Sequence, residues 1–457
     1  MFKYLGEATQ TSASVIVRGT SNGEARLICN GVTYIKTINS AVKDGLVRFD
    51  VSGLEPGKSY EFSVTTQDES ATGTLKTQSD GVSRLGWFSC SSGSYDCLYT
   101  TGLYDLHALV CIGDEEYYEG TVNVNLTTAT DVSLYNGRAR GTRESPTKRY
   151  AINKAPFYIM HDDHEYGIND CRWSLVNFQN AIGPTVTNTA DMQAVIDAGA
   201  ESTEIYNIGN PNNTDSGIDT GAFYFRFDLG EHAEVFVLAQ CVWGRDPTDA
   251  TRLVRPDFGA SNTMMGSKQV AWLKDRLKNS TKTFKIILSP KMTLTAEFTN
   301  SDGFFSYFDE FNLNLAPFIH AATDWLVPGG VIWGTGDYHT PSVHAAFDGV
   351  NGAVYDHVEV CACPSQKDND GVRDSGIGGT YTVQSVNTGQ GNAGTSSNIL
   401  ATNTRPEMRN FGVMEVPADG AYIEAKIVLA DGREWWTGRV MKGENKLTYS
   451  KKNTVVS

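Results

Sequence analysis

The stretch Phe157-Tyr158-Ile159-Met160-His161-Asp162-Asp163-His164-Glu165 passes without a break from four apolar residues to five ionisable ones. A short apolar run bounded this sharply reads as a buried strand. Charges just past its carboxyl end stand where open α/β sheets hold their ligands. Packing alone does not ask for Asp-Asp-His-Glu there. The stretch therefore predicts an α/β domain with a polar site on the rim of a sheet.

Three more apolar runs end in the same manner. Leu85 to Phe88 leads into Ser89-Cys90-Ser91-Ser92, and His107 to Ile112 into Gly113-Asp114-Glu115-Glu116-Tyr117. Gly330 to Trp333 feeds Gly334-Thr335-Gly336-Asp337-Tyr338-His339. The endings offer Cys90, Asp114 with Tyr117, Asp163 with His164, and Asp337 with His339. One such pair is common at turns. Four in one α/β domain predict a shared metal site. A thiolate with a phenolate suits iron, and carboxylates suit calcium, magnesium or manganese. A carboxylate such as Asp114 can bridge two ions. Two cations about 3.5–4 Å apart clamp a phosphate ester and activate a water, with His164 placed to protonate the leaving alkoxide. Ser89, Ser91 and Ser92 have no identifiable base and read as turn formers. The chain has no H-E-x-x-H and no closed Cys/His set, which argues against a zinc hydrolase of another class.

Composition bounds the rest. The chain has 457 residues, 40% hydrophobic and 20% charged, enough for more than one globular domain. No apolar run reaches spanning length. A formal net charge of -15 argues against non-specific nucleic-acid binding, but not against an anionic substrate, because bound cations reverse the local field. The eight cysteines are scattered and read mostly as small buried hydrophobes. No signal peptide is evident at Met1 to Gly6, which leaves a cytosolic protein, exit by another route such as a virion, or a removed leader; an extracellular or virion-associated setting is favoured over a cytoplasmic one.

Residues 1–80 alternate in the β manner. Strands are expected at Ala13–Gly19, Glu24–Cys29, Leu46–Val51, Tyr60–Thr65 and Gly73–Thr77. The segment Leu54-Glu55-Pro56-Gly57-Lys58-Ser59-Tyr60 resembles the tyrosine corner of a fibronectin type III module, in which Tyr60 would bond back to a nearby backbone group. Gln78 to Ser83 reads as a linker to a second domain, 84–457. Arg138, Arg140, Arg143, Lys148 and Arg149 form a basic concentration that reads as a solvated loop face, with an anion-attracting mouth as the functional alternative. Residues 186–221 read as long loops, Met264–Lys278 and Phe311–Trp325 as helices, and the Gly/Ser/Asn-rich 365–403 as a surface excursion. Strands resume at Phe411–Val416 and Tyr422–Leu429.

Taken in order, these motifs resemble those of PhoD-like alkaline phosphatases, a branch of the calcineurin-like metallophosphoesterases. Phe88-Ser89-Cys90-Ser91 matches the family's cysteine motif. Gly113 to Glu119 resembles its G-D-x-x-Y-E block, and His161 to Glu165 its W-D-D-H-E block. Gly266 to Leu273 matches G-x-x-Q-x-x-W-L, and Gly336 to His339 matches G-D-x-H. The resemblance implies a sandwich of two packed mixed β-sheets flanked by helices, preceded by a small all-β sandwich. It implies iron on Cys90, Asp114, Tyr117 and His339, and calcium on Asp114, Asp163 and Asp337, with manganese, magnesium or zinc as alternative occupants. His164 would be the substrate-facing acid or phosphate ligand, and Asp162, Glu165 and Asp302 supporting groups. Three positions depart from the pattern. His161 replaces a Trp, Ala239-Gln240-Cys241 replaces D-T-R, and Ser289-Pro290 replaces N-Q. Lys291, which follows, reads as a solvated lysine, with compensation for the lost arginine as the alternative.

Two functions are expected to compete. One is metal-dependent hydrolysis of phosphate monoesters or diesters, in small molecules or polymers. The other is a structural or attachment component of a virion or surface that reuses a phosphatase-like scaffold. Intact donors at four strand ends favour the enzyme.

Overall fold

Alternation leaves strands such as Gly23–Cys29 half-buried, Phe2–Ala8 and Ser12–Arg18 are buried along most of their length, and two antiparallel sheets close over the apolar faces. One runs in the order Phe2–Ala8, Ser12–Arg18, Leu46–Ser52, and the other Val32–Ile38, Gly23–Cys29, Ser59–Thr65, Ser70–Lys76. Val15, Val17, Phe49 and Val51 pack against Ala25, Leu27, Phe62 and Val64 between them. Two of the seven strands escaped the sequence reading. Val32–Ile38 is exposed at nearly every position, so burial left little period to detect. The Tyr60 hydroxyl accepts the Glu55 N–H at 2.7 Å, which is the expected bond back. The computed structural model of the chain describes residues 1–91, 97–118, 122, 124–168, 175–211, 224–239, 266–291, 330–337, 341–346, 357–362, 397–402, 409–445 and 447–452.

These sheets do not hang from a flexible tether. Phe2, Tyr4, Ile16 and Leu46 join one apolar cluster with Phe88, Phe157 and Phe411. Gln78, in the expected linker, is buried, and its side chain donates to Ala8 O and accepts the Gly230 N–H, both at 2.8 Å.

The following sequence forms two seven-stranded sheets. The first runs Phe157–Met160, Ala108–Ile112, Ser83–Phe88, Asn410–Val416, Tyr422–Leu429, Glu434–Met441, Leu447–Lys452. The second runs Phe225–Leu229, Ala233–Val237, Phe284–Ser289, Val331–Thr335, His357–Cys361, Ser342–Ala346, Ser397–Thr402. Each has a parallel segment, made of the first three strands in one sheet and of Ala233–Val237 through His357–Cys361 in the other. Most of these parallel strands are near-continuous apolar runs because both faces are covered. Trp87 of the first sheet packs against glycines of both sheets. A Cβ on Gly412 would fall 2.2 Å from its ring, and one on Gly334 of the second sheet 3.0 Å.

Helices correct two expectations. Residues 189–206 are not loop but an 18-residue helix, Thr189–Tyr206, whose cap Asn188 accepts the Ala190 and Asp191 N–H groups. Its buried Met192, Val195, Ile196, Gly199, Thr203 and Tyr206 keep helical spacing. Small and polar residues at several of these positions hid the stripe. The basic concentration lies on the helices Val132–Glu144 and Pro146–Ile152, with Arg143 and Lys148 fully buried. It is helical rather than loop, and Arg138 and Arg149 remain exposed. The expected helix Phe311–Trp325 lies outside the described residues, as does the excursion except for Ser397–Thr402.

Candidate metal centre

The chemistry-bearing residues follow directly from the parallel strand ends of both sheets. Cys90 follows Ser83–Phe88, Asp114 follows Ala108–Ile112, and Asp162 and Asp163 follow Phe157–Met160. From the facing sheet, Lys291 follows Phe284–Ser289 and Asp337 follows Val331–Thr335. The Ser89 hydroxyl ties the two sets by accepting the Asp337 N–H at 3.3 Å.

Tight turns put these side chains in place. Six described non-glycine residues have positive φ, and Cys90 (52°), Asp114 (51°) and Asp337 (64°) are three of them. Such left-handed backbone is costly and concentrates at functional sites. Gly113, at φ 111°, is required where it stands. A Cβ there would lie 2.7 Å from that of Asp162. Glu165 holds the loops from below. Its carboxylate accepts the N–H groups of Asp114 (3.1 Å), Glu116 (3.0 Å) and Asp162 (2.7 Å). Burial, with Asp114 nearby, pushes its pKa well above the usual carboxylate value.

A thiol and a phenol converge on one carboxylate oxygen. Cys90 Sγ and the Tyr117 hydroxyl each lie 3.4 Å from Asp114 Oδ2. Asp114 Oδ1 is buried and has no hydrogen-bond partner among the described residues. Burial raises the Asp114 pKa to about 6, with His164 opposing and Asp163 adding to the shift. A buried, orphaned carboxylate oxygen beside a thiol and a phenol fits a metal ion. The His164 ring leans over that of Tyr117, centroids 4.1 Å apart.

Ligand atoms of Asp114, Asp162 and Asp163 lie within 4.8 Å of one another. Asp162, expected as support, thus stands in the carboxylate cluster itself. Lys291 corrects a second expectation. It is 7% exposed rather than solvated, and its Nζ lies 2.8 Å from Asp162, 3.1 Å from Asp163 and 2.8 Å from Asp337. Its place at a strand end, equivalent to those of the acids, was the signal available in the sequence. His339 and Asp302 lie outside the described residues. His161 turns away from the cluster. Its Nδ1 meets the Thr203 hydroxyl at 2.5 Å, and burial lowers its pKa to about 3.

Behind the loop, Glu115 faces the opposite way. It pairs with the buried Arg143, at 2.9 Å, and Lys148. The Arg143 guanidinium also lies over the rings of Tyr206, Tyr4 and Phe157. Burial pushes the Glu115 pKa up, but Arg143 and Lys148 outweigh it and hold the carboxyl at about 2. One motif residue serves a departed segment. The buried Gln269 amide brackets Ala239, accepting its N–H at 2.9 Å and donating to its carbonyl at 2.7 Å.

Comparison with known proteins agrees with this architecture. A solved structure of PhoD superposes with a TM-score of 0.70 at 16% identity, covering 99% of this chain and 92% of that one. The purple acid phosphatase PPD1 from yellow lupin (Lupinus luteus) seeds gives 0.57 at 11% identity, over 96% and 74% of the two chains. At these identities the likeness concerns the fold. No curated protein matches the chain significantly in sequence. The profile of the PhoD-like phosphatase family matches residues 85–419, a span that begins in the strand before Cys90 and takes in the whole strand-end cluster, and the chain belongs to that family.

Proposed function

We propose that the chain hydrolyses phosphate esters at this centre, with a metal ion on Cys90, Asp114 and Tyr117 and His339 as a further ligand. The convergence of Cys90 Sγ and the Tyr117 hydroxyl on Asp114 Oδ2 carries the reading. A thiolate–phenolate–carboxylate set favours ferric iron. The ion would supply Lewis acidity and a water of lowered pKa.

The protein's own groups do the rest. His164, packed on Tyr117, protonates the leaving oxygen or holds the phosphate. Glu165 fixes the backbone of the two carboxylate-bearing loops, so that Asp114 and Asp162 need not reorganise when charge develops. For a second ion, calcium on Asp114, Asp163 and Asp337 is the expectation from the family, and Lys291 contends for two of the same carboxylates. Residues 1–80 fit a fibronectin type III-like unit, an assignment supported by the Tyr60 to Glu55 bond.

Metal analysis with p-nitrophenyl phosphate and bis-p-nitrophenyl phosphate as substrates tests the function and sorts monoester from diester. We expect iron, hydrolysis of at least one ester, and a coloured tyrosinate–ferric band that Tyr117→Phe abolishes. A protein without transition metal that cleaves neither ester would instead be the structural or attachment component.

A further inference from the structure

Three carboxylates and one ammonium meet at the second cation position. We propose that the Lys291 ammonium is its resident cation, so that the chain holds a metal ion beside Cys90 and Tyr117 but no second one on Asp163 and Asp337, the two carboxylates of the expected calcium set that Lys291 pairs with. The reading rests on the metal centre proposed above only for the first ion.

The valences match. A lysine ammonium carries three donors, and three carboxylate oxygens from three residues stand at 2.8, 3.1 and 2.8 Å. All three are ion-pair distances, and the contact with Asp163 is also a hydrogen bond. Calcium requires about six to eight oxygens at roughly 2.3–2.6 Å, so an ion on these oxygens has to displace Nζ. Displacement is opposed, because the side chain is 9% exposed and a buried ammonium stripped of its carboxylates carries a heavy desolvation cost. The backbone aims it. The Ser289 hydroxyl donates to the Lys291 carbonyl at 2.5 Å, and the intervening Pro290 has a fixed φ. The turn that ends Phe284–Ser289 therefore delivers a cation where its neighbours deliver acids.

Elemental analysis of the full-length chain, with equilibrium dialysis against radiolabelled calcium chloride, tests the proposal. The wild type should hold one transition-metal ion and bind calcium only weakly, with half-saturation above about 1 mM. Lys291→Ala opens the position and should gain a second equivalent, with calcium affinity raised at least about tenfold. Lys291→Arg, which keeps the charge, should stay at the wild-type count. A second tightly held ion in the wild type overturns the proposal, as does unchanged calcium binding in Lys291→Ala. If that variant does not fold, the wild-type count decides alone. Ester hydrolysis is scored separately. One bound ion without hydrolysis rejects the phosphatase reading but not this one, and hydrolysis with two bound ions does the reverse.

Discussion

Asp114 and Glu115 are adjacent in the chain and serve two buried charge clusters of opposite balance. On one side, Asp114 lies with Asp162 and Asp163, and among the described residues Lys291 pairs with Asp162, Asp163 and Asp337. On the other, Glu115 is enclosed by Arg143 and Lys148. Burial acts on both carboxyls alike, yet it raises Asp114 to about 6 while the two cations take Glu115 down to about 2. A buried carboxylate that the protein neutralises itself is structural. One left short of positive charge is a place for a cation. The tight turn after the strand Ala108–Ile112, left-handed at Gly113 and Asp114, sends these two neighbouring side chains into different clusters.

Breaking each cluster should have different consequences. Asp114→Asn removes the oxygen on which Cys90 and Tyr117 converge. We expect phosphate-ester hydrolysis to fall on the order of 10³-fold or more with loss of bound metal, while the metal-free protein unfolds at a higher temperature at neutral pH, because the buried charge that weighs against folding is gone. Arg143→Met should do the reverse. It leaves Glu115 and Lys148 in a half-empty ion cluster and strips three aromatic rings of their partner, destabilising the fold by about 3–4 kcal/mol. Denaturant unfolding should show this, with the metal content of the surviving folded fraction unchanged.

Acid sharpens the contrast further, because the two signs are opposite. Glu115 has a folded pKa below its ordinary 4.5, so its contribution is present above that value and is lost as pH falls toward about 2. That amounts to on the order of 3 kcal/mol. Asp114 has a folded pKa above its ordinary 3.8, so in metal-free protein its burial weighs against folding at neutral pH, and this is relieved as pH falls through about 6. In denaturant titrations of metal-free protein, Glu115→Gln should flatten the stability loss below pH 4.5. Asp114→Asn should flatten the smaller gain between pH 6 and 4.

Much of the site was legible because strand ends are. Phe88, Ile112, Met160 and Trp333 close apolar runs, and the residues just after them are polar where packing needs no polarity. Lys291 was misread because its run ends in the bland Ser289-Pro290, and a lone lysine in sequence resembles any solvated one. Arg143 and Lys148 were misread for a related reason. A basic run in a sequence carries no mark of the single Glu115 that buries it.

The sequence by itself determined the alternation of residues 1–80, the buried strands of an α/β domain and the strand-end placing of the proposed donors Cys90, Asp114, Tyr117 and Asp163, since period and run length are local properties. Only the tertiary structure decided which charges neutralise which. Asp162, Asp163, Lys291 and Asp337 come from three strands of two facing sheets, and their balance depends on distances of about 3 Å that no spacing along the chain encodes.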